Sequence, residues 1–355
     1  MKEKKRVCIA GLGHIGKAHL EALRRLGQTE VVGISCRENA QQRAEELFVP
    51  NGFCDWREMI DTLKPDAVHV CTPNESHLEI GLYALERKIH VLCEKPLAAN
   101  KRDAQRLAAA AKKAGVVHAV CFHNRFYPTI RYLRRWIASG ELGEIISIHG
   151  GYLQNWLLSL EDFNWRVLSS QAGNTRVMGD IGSHWLDLAE FVTGQKIENL
   201  TVKKKQVYPA RRGPDGKISP VDTQDMASVC FSLTQGGLGC GFFSQTFAGE
   251  KNRISLKIGG TKKSAEWENI SSDLLTIGDR QEGTRLLGRD PRQLKPVLTQ
   301  GILTPGDALA ASHGDAFTMM FAQVYQRMDD PHVQGEFADF DDGVHSMELL
   351  LLPEE

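Results

Sequence analysis

The segment Gly11-Leu12-Gly13-His14-Ile15-Gly16 carries the most specific chemical signal in the chain. It follows a short apolar run, Arg6 to Ala10, and opens an amphipathic stretch, the strand-to-helix context that lifts G-x-G-x-x-G above chance. The first glycine permits a tight turn, the second lets backbone approach a pyrophosphate, and the third allows a helix to pack closely on the strand. Backbone N–H groups at His14, Ile15 and Gly16, together with the positive end of the helix, then point at phosphate. The chemistry implied is the holding of a dinucleotide.

Further residues fall where such a ligand would lie. The second apolar run ends in Ile34-Ser35-Cys36-Arg37, at the place where a carboxylate usually reads the ribose of NAD. With Cys36 there and Arg37 beside it, nothing repels a 2′-phosphate and a guanidinium is at hand to pair with it. NADP is therefore permitted and slightly favoured over NAD; the alternative is that Arg37 is a solvated helix-start residue. Cys71-Thr72-Pro73-Asn74 with His77 comes at the carboxyl edge of a strand, where ligands of open sheets bind. Thr72 and Pro73 would line the dinucleotide, although Pro73 also suits a helix entry and Asn74 a cap. Glu94-Lys95-Pro96 ends the next apolar run, which puts a lysine where the nicotinamide end of the cofactor belongs.

The elements that must position these residues alternate. Arg6 to Ala10, Val31 to Ser35, Ala67 to Cys71, His90 to Cys93 and Val116 to Cys121 read as strands separated by helical segments, which calls for right-handed crossovers and a doubly wound parallel sheet. After about Asn124 the rhythm changes. Strand candidates at Glu144 to Tyr152, Glu198 to Val207, Met226 to Leu233, Leu238 to Phe247, Arg253 to Gly259 and Ser264 to Glu268 follow one another through turns such as Gln235-Gly236-Gly237, so a mainly antiparallel sheet is expected. A helix beginning near Ile181 and another over about Gly314 to Gln326 should cover one face. The expectation is an α/β chain: residues 1–123 form a Rossmann domain binding NAD(P), and residues 124–355 an α+β domain for substrate binding and oligomerisation.

Charge and cysteine content narrow the partners. The 355 residues carry 43 Lys and Arg against 44 Asp and Glu, spread along the chain, so neither nucleic acid nor a membrane surface is expected as a partner. Cys8, Cys36, Cys54, Cys71, Cys93, Cys121, Cys230 and Cys240 include no C-x-x-C pair and read as reduced thiols of a cytoplasmic protein. No apolar signal region or membrane-length run is evident. Apolar Val229, Phe231, Leu233 and Phe242 suggest a sheet protected on both faces, one by helices and the other by a second subunit, hence a homodimer or homotetramer.

Joined with Asp180-Ile-Gly-Ser-His184, the fingerprint and Glu94-Lys95-Pro96 resemble the glucose-fructose oxidoreductase, inositol dehydrogenase and rhizopine-catabolism family (Gfo/Idh/MocA). His123-Asn124-Arg125-Phe126, Gly140-Glu-Leu-Gly143 and Val221-Asp-Thr-Gln-Asp-Met226 extend the match over nearly the whole chain. The resemblance implies an NAD(P)-dependent dehydrogenase or reductase acting on a CH–OH carbon of a sugar, inositol or related polyol. It assigns the chemistry to Lys95, Asp180 and His184. Loss of hydride from a carbinol requires its hydroxyl to lose a proton, so His184 suits a base and Lys95 an electrophile that stabilises alkoxide-like charge. Asp180 would bond substrate hydroxyls or orient the imidazole, or else serve only as a helix cap. Trp165 and Arg166 look like an active-site loop close to nicotinamide and substrate. Asn124, Arg125, Gln154 and Asn155 are candidate hydroxyl-binding groups.

Two departures from the common family pattern stand out, Cys36 at the ribose-reading position and Gly173-Asn-Thr-Arg-Val-Met-Gly179 where glycine runs are frequent. The second would bring Arg176 to the substrate, where it could pair with a phosphate or carboxylate; a solvated or structural arginine is the alternative. No metal is expected, since Asp180, His184 and Asp187 have no second histidine cluster at ligand spacing. Relatives of similar architecture include NAD-dependent glycosidases and non-catalytic dinucleotide-binding regulators. Retention of Lys95, Asp180 and His184 argues against the regulator, and glycoside cleavage without net reduction would mark the glycosidase.

Overall fold

A computed structural model describes residues 3–213, 215–288 and 312–351. They fall into two compact units: one runs to Phe126 and takes up again at His313–Met347, and the other begins at Tyr127.

In the first unit, strands β1 (Lys5–Ala10), β2 (Thr29–Ser35), β3 (Gly52–Phe53), β4 (Ala67–Val70), β5 (His90–Cys93) and β6 (His118–Val120) form one sheet in the order β3-β2-β1-β4-β5-β6. Every neighbouring pair is parallel. A parallel sheet covered on both faces needs strands apolar on both sides, and Val7, Cys8, Ile9 and Ala10 of β1 are all fully buried. Helices α1 (His14–Leu26), α2 (Ala40–Glu46), α3 (Trp56–Leu63), α4 (His77–Glu86) and α5 (Lys101–Ala114) make the crossovers. β3 was not expected, because two residues offer no apolar run.

The chain returns to this unit at its far end with α9 (His313–Asp329) and α10 (Phe340–Leu350). Sequence rhythm placed the first of these against the antiparallel sheet, and that expectation is corrected: α9 lies along α1, where the His19 ring sits 5.0 Å from Phe317 and 4.8 Å from Phe321. Every residue from Asp315 to Tyr325 is buried. A helix apolar on all sides is marked for an interior, but its own pattern does not say which sheet it will cover.

The second unit is built on an eight-stranded sheet. Its strands are β7 (Ile145–Leu153), β8 (Ile197–Lys205), β11 (Met226–Leu233), β12 (Leu238–Ser244), β13 (Arg253–Gly260), β14 (Lys263–Glu268), β15 (Leu274–Asp279) and β16 (Gly283–Gly288). The order is β16-β15-β14-β13-β7-β12-β11-β8. The pair β7 and β12 is parallel and the remaining neighbours are antiparallel. A short ribbon, β9 (Ala210–Arg212) with β10 (Ile218–Pro220), stands apart from it. Helices α6 (Pro128–Ala138), α7 (Ser169–Ala172) and α8 (Ser183–Thr193) complete this part. Trp185 of α8 anchors that helix to the sheet, its indole donating to Ser255 O at 2.8 Å with Phe231 and Phe243 beside the ring. Alternation along β11 sends Val229, Phe231 and Leu233 inward, whereas Phe242 on β12 is 39% exposed and Leu238 67%. Among the described residues no helix is long and apolar enough to cross a membrane.

Candidate active site

The three fingerprint glycines do different work in the first unit. Gly11 has φ +95°, and a Cβ there would lie 2.7 Å from the Cys71 carbonyl. A Cβ on Gly16 would run into the Gly11 carbonyl oxygen, so both positions are demanded by the packing of α1 on β1 and β4. Gly13 is different: a Cβ there would meet no atom within 4 Å. No side chain caps the head of α1 and its first turn holds no acid, which leaves exposed Gly13 and His14 and half-buried Ile15 beside uncapped N–H groups. Open space next to uncapped donors fits a pyrophosphate.

Around this helix head the sequence-predicted residues separate. Arg37 is exposed beyond β2 and Cys36 is half-buried, its thiol donating to Glu38 O at 3.4 Å. Thr72 Oγ1 accepts from Ser76 at 2.7 Å, and Pro73 leads into the single turn Asn74–Ser76. His77, expected to touch the cofactor, is fully buried with ring nitrogens 2.9 Å from Thr72 O and 3.0 Å from Pro96 O. It lies between two backbone carbonyls instead. Burial pushes its pKa down, the two carbonyls pull it partly back, and the balance lies below the ordinary value.

Glu94 was expected at the cofactor too, yet its carboxylate turns inward, 3.0 Å from His19 Nε2. His19 Nδ1 meets His69 Nδ1 at 2.9 Å, and His69 Nε2 meets the Tyr325 hydroxyl at 2.9 Å. One proton arrangement satisfies every member: Tyr325 donates to His69, His69 to His19, and His19 to the carboxylate. Burial keeps Tyr325 protonated and pushes His69 well below the usual histidine range. Burial also raises Glu94, but the hydrogen bond from His19 and the nearby positive charge, that of Lys95 included, outweigh it and hold the carboxyl below its ordinary value. Oε2 of the same carboxylate accepts from the Lys95 backbone N–H at 3.3 Å, so this buried chain ends at the half-buried lysine. His19, Glu94 and Cys121 have ligand atoms within 4.8 Å of one another, but His19 and Glu94 already satisfy each other by hydrogen bonding. Asn124 is buried in the turn His123–Phe126. The Arg125 guanidinium, expected to bind substrate hydroxyls, reaches Glu336 O at 3.4 Å and Asp342 at 3.5 Å. Those contacts secure the returning end of the chain.

In the second unit, α8 is preceded by a π-turn over Met178–Gly182, a distortion frequent at functional sites. Asp180 lies in that turn and His184 in the first turn of α8, and no side chain caps either segment, so Asp180 is not a helix cap. Asp180 Oδ2 accepts from Gln245 Nε2 at 2.7 Å, and Arg166 Nε stands 3.5 Å from Oδ1. The Arg166 guanidinium lies 4.4 Å over the Trp165 ring, on a short turn capped by Asn164. Tyr152 has its ring 6.3 Å from that of His184 and its hydroxyl on Asn252 at 2.7 Å. Burial, joined by the charge of Asp180, pushes the Tyr152 pKa up and keeps it a neutral donor. Gln154 accepts from Trp156 at 2.7 Å and donates to Asn252 at 2.8 Å, with half-buried Asn155 next to it.

Arg176 does not reach out to substrate. It is 2% exposed, its Nη2 is paired with Asp225, and its Nε and Nη1 donate to Gln245 at 3.2 Å and Thr223 at 3.3 Å. Asp225 also accepts from Arg211 at 2.8 Å and the Val207 N–H at 2.6 Å. Burial pushes the Asp225 carboxyl up, but Arg176 and these donors outweigh it and hold the group below its usual range. Sequence reading missed Gln245 as a member of the site. The available signal was a polar residue closing the apolar run Gly241-Phe-Phe-Ser-Gln245.

Known proteins share this fold. Residues 5–122 match the family model for the oxidoreductase family with NAD-binding Rossmann fold, and residues 130–266 match the GFO/IDH/MocA C-terminal domain. A levoglucosan dehydrogenase from Pseudarthrobacter phenanthrenivorans is 29% identical over 295 residues, 76% of this chain and 75% of that one. The myo-inositol 2-dehydrogenase of Thermotoga maritima is 26% identical over 287 residues, 79% of this chain and 81% of its own. A solved levoglucosan dehydrogenase in complex with NADH and L-sorbose superposes with a TM-score of 0.90 at 26% identity, covering 98% of this chain and 95% of that one. With both family models matched in order over most of the chain and the dinucleotide fingerprint between β1 and α1, the chain belongs to the GFO/IDH/MocA family of oxidoreductases.

Proposed function

We propose that this oxidoreductase moves hydride between a nicotinamide cofactor and a CH–OH carbon of a sugar, inositol or related polyol. The observation that carries the reading is the Asp180–His184 pair at the head of α8, with Asp180 held by Gln245 and Arg166, in a chain that keeps Lys95 at the end of β5. Bound nicotinamide supplies the hydride acceptor or donor. His184 takes the hydroxyl proton, Lys95 stabilises the alkoxide-like charge, and Asp180 accepts from a substrate hydroxyl or from the imidazole. Asn124, Gln154 and Asn155 supply amide groups of the kind that choose one carbon of a polyol. Incubation with D-glucose, myo-inositol and levoglucosan, each with NAD and NADP, should change nicotinamide absorbance stoichiometrically for at least one pair. Silence across that panel counts against the reading.

NADP is our preferred cofactor over NAD, supported by exposed Arg37 after β2 and by the absence of an acid at Cys36. Arg37→Ala should weaken NADP about tenfold to a hundredfold relative to NAD, the worth of one good charged hydrogen bond. Direct titration with both cofactors tests this, and equal losses would remove the preference. Eight free thiols, with Cys54, Cys230 and Cys240 exposed, support residence in the reducing cytoplasm. Leu238 and Phe242, both exposed on the face of β12 away from Val229 and Phe231, support a homodimer or homotetramer. A monomer by sedimentation at micromolar concentration would overturn that assembly.

A further inference from the structure

We propose that Gln245 is a positioning residue for Asp180, and that the buried Asp225–Arg176 pair sets which end of its amide faces that carboxylate. This rests on the reading of Asp180 as a substrate-side group.

Gln245 follows β12 directly and is fully buried. Its backbone is fixed twice, the N–H donating to Asp225 O at 3.0 Å and the carbonyl accepting from Leu157 at 3.1 Å. Its side chain then spans two charged groups: Oε1 accepts from Arg176 Nε at 3.2 Å, and Nε2 donates to Asp180 Oδ2 at 2.7 Å. A guanidinium can only donate and an ionised carboxylate can only accept. Turning the amide over would set NH₂ against guanidinium and oxygen against carboxylate, two contacts of like polarity in an interior where such errors are costly. The orientation is therefore imposed from behind.

Arg176 is itself immobilised. Asp225 binds it, Thr223 accepts from it, and the same Asp225 oxygen, Oδ1, is also held by Arg211, whose Nη1 and Nη2 donate further to Ser159 O at 2.6 Å, Leu157 O at 2.8 Å and Asp162 O at 3.0 Å. This network joins β11, β9 and the end of β12 into one frame. Two guanidiniums around a single carboxylate leave one buried positive charge, and the amide of Gln245 carries its polarity to Asp180. A carboxylate with Oδ2 fixed in this way presents its other lone pairs in a constant direction. Arg176, which the sequence placed at the substrate, acts at one remove.

The test is a double-mutant cycle of Gln245→Met, which keeps length while removing both hydrogen bonds, against Asp180→Asn. Turnover is read with the most active of D-glucose, myo-inositol and levoglucosan, and unfolding free energy is read in parallel without substrate. Gln245→Met should lower kcat by about ten- to a hundredfold, the scale of one hydrogen bond to a charged group, with cofactor affinity unchanged. In the Asp180→Asn background the same substitution should change kcat by less than about threefold, because the carboxylate charge that Gln245 positions is already lost. Gln245→Glu, which keeps an acceptor for Arg176 but opposes Asp180, should be no better than Gln245→Met. Fully additive losses, or additive unfolding energies, would show Gln245 to be structural only and overturn the inference. If Asp180→Asn impairs turnover while Gln245→Met does not, the inference alone falls. If Asp180→Asn is harmless, the assignment of Asp180 falls first and this inference with it.

Discussion

His184→Ala is expected to lower turnover by about a hundredfold or more, the usual contribution of a general base, and to leave dinucleotide affinity within several-fold. The reason lies in when charge appears. In the bound alcohol the hydroxyl keeps its proton, and only as hydride departs must that proton go to a base, so the imidazole matters most in the transition state. The same holds for Lys95, whose ammonium meets alkoxide-like charge that the ground state lacks, and Lys95→Ala should cost about as much. The two variants differ in pH behaviour. Oxidation by the wild type should fall on the acid side, where protonation removes the base, and His184→Ala should lose that limb whereas Lys95→Ala keeps it. Steady-state rates across pH, with a direct cofactor titration, decide the matter. Near wild-type turnover with an intact acid limb in His184→Ala would falsify the assignment, and His123 or a water held by Asp180 would take its place.

Gly13→Asp should abolish measurable dinucleotide binding in a protein that still folds. Of the three fingerprint glycines this is the one suited to such a test. Side chains at Gly11 or Gly16 collide with backbone of the unit itself, so those variants would mix lost binding with lost stability. A side chain at Gly13 meets nothing, and the fold should accept it. What it enters is the space beside the uncapped start of α1, where carboxylate volume excludes a pyrophosphate and its charge occupies the N–H groups meant for one. Circular dichroism showing an intact fold, beside calorimetry showing no heat with either NAD or NADP, is the expected pair of results. Cofactor affinity equal to wild type would mean that the dinucleotide lies elsewhere.

Much of this architecture was readable because burial dictates composition. Strands of a parallel sheet must be apolar on both faces, so β1, β2, β4, β5 and β6 announce themselves, and the fingerprint glycines fix the head of α1. The pair β15 and β16 escaped notice, since residues such as Gly283 and Arg285 break any clear alternation near the sheet edge. The candidate site rests on residue types in local patterns, as with Lys95, Asp180 and His184, which the sequence itself displays. It was not legible where the partner is distant in sequence. Arg176 has the same appearance whether it meets a substrate anion or Asp225, and only the fold brings β11 to its guanidinium. Glu94 and His77 were misjudged for a related reason: both stand in motifs that line the ligand edge, but their side chains turn back into the protein to His19, Thr72 and Pro96.

The return of α9 to α1 gives the chain an order of assembly different from its order of synthesis. Domains near the N-terminus generally fold as they leave the ribosome. Here the unit begun by β1 gains Phe317, Phe321 and Tyr325 only after the whole antiparallel sheet has been made. Until then His19 and His69 lack the aromatic cover and the hydroxyl that complete their hydrogen-bond chain. The nucleotide-binding unit is thus opened first and closed last, and a fragment ending at Phe126 would contain every fingerprint glycine while missing part of its own interior.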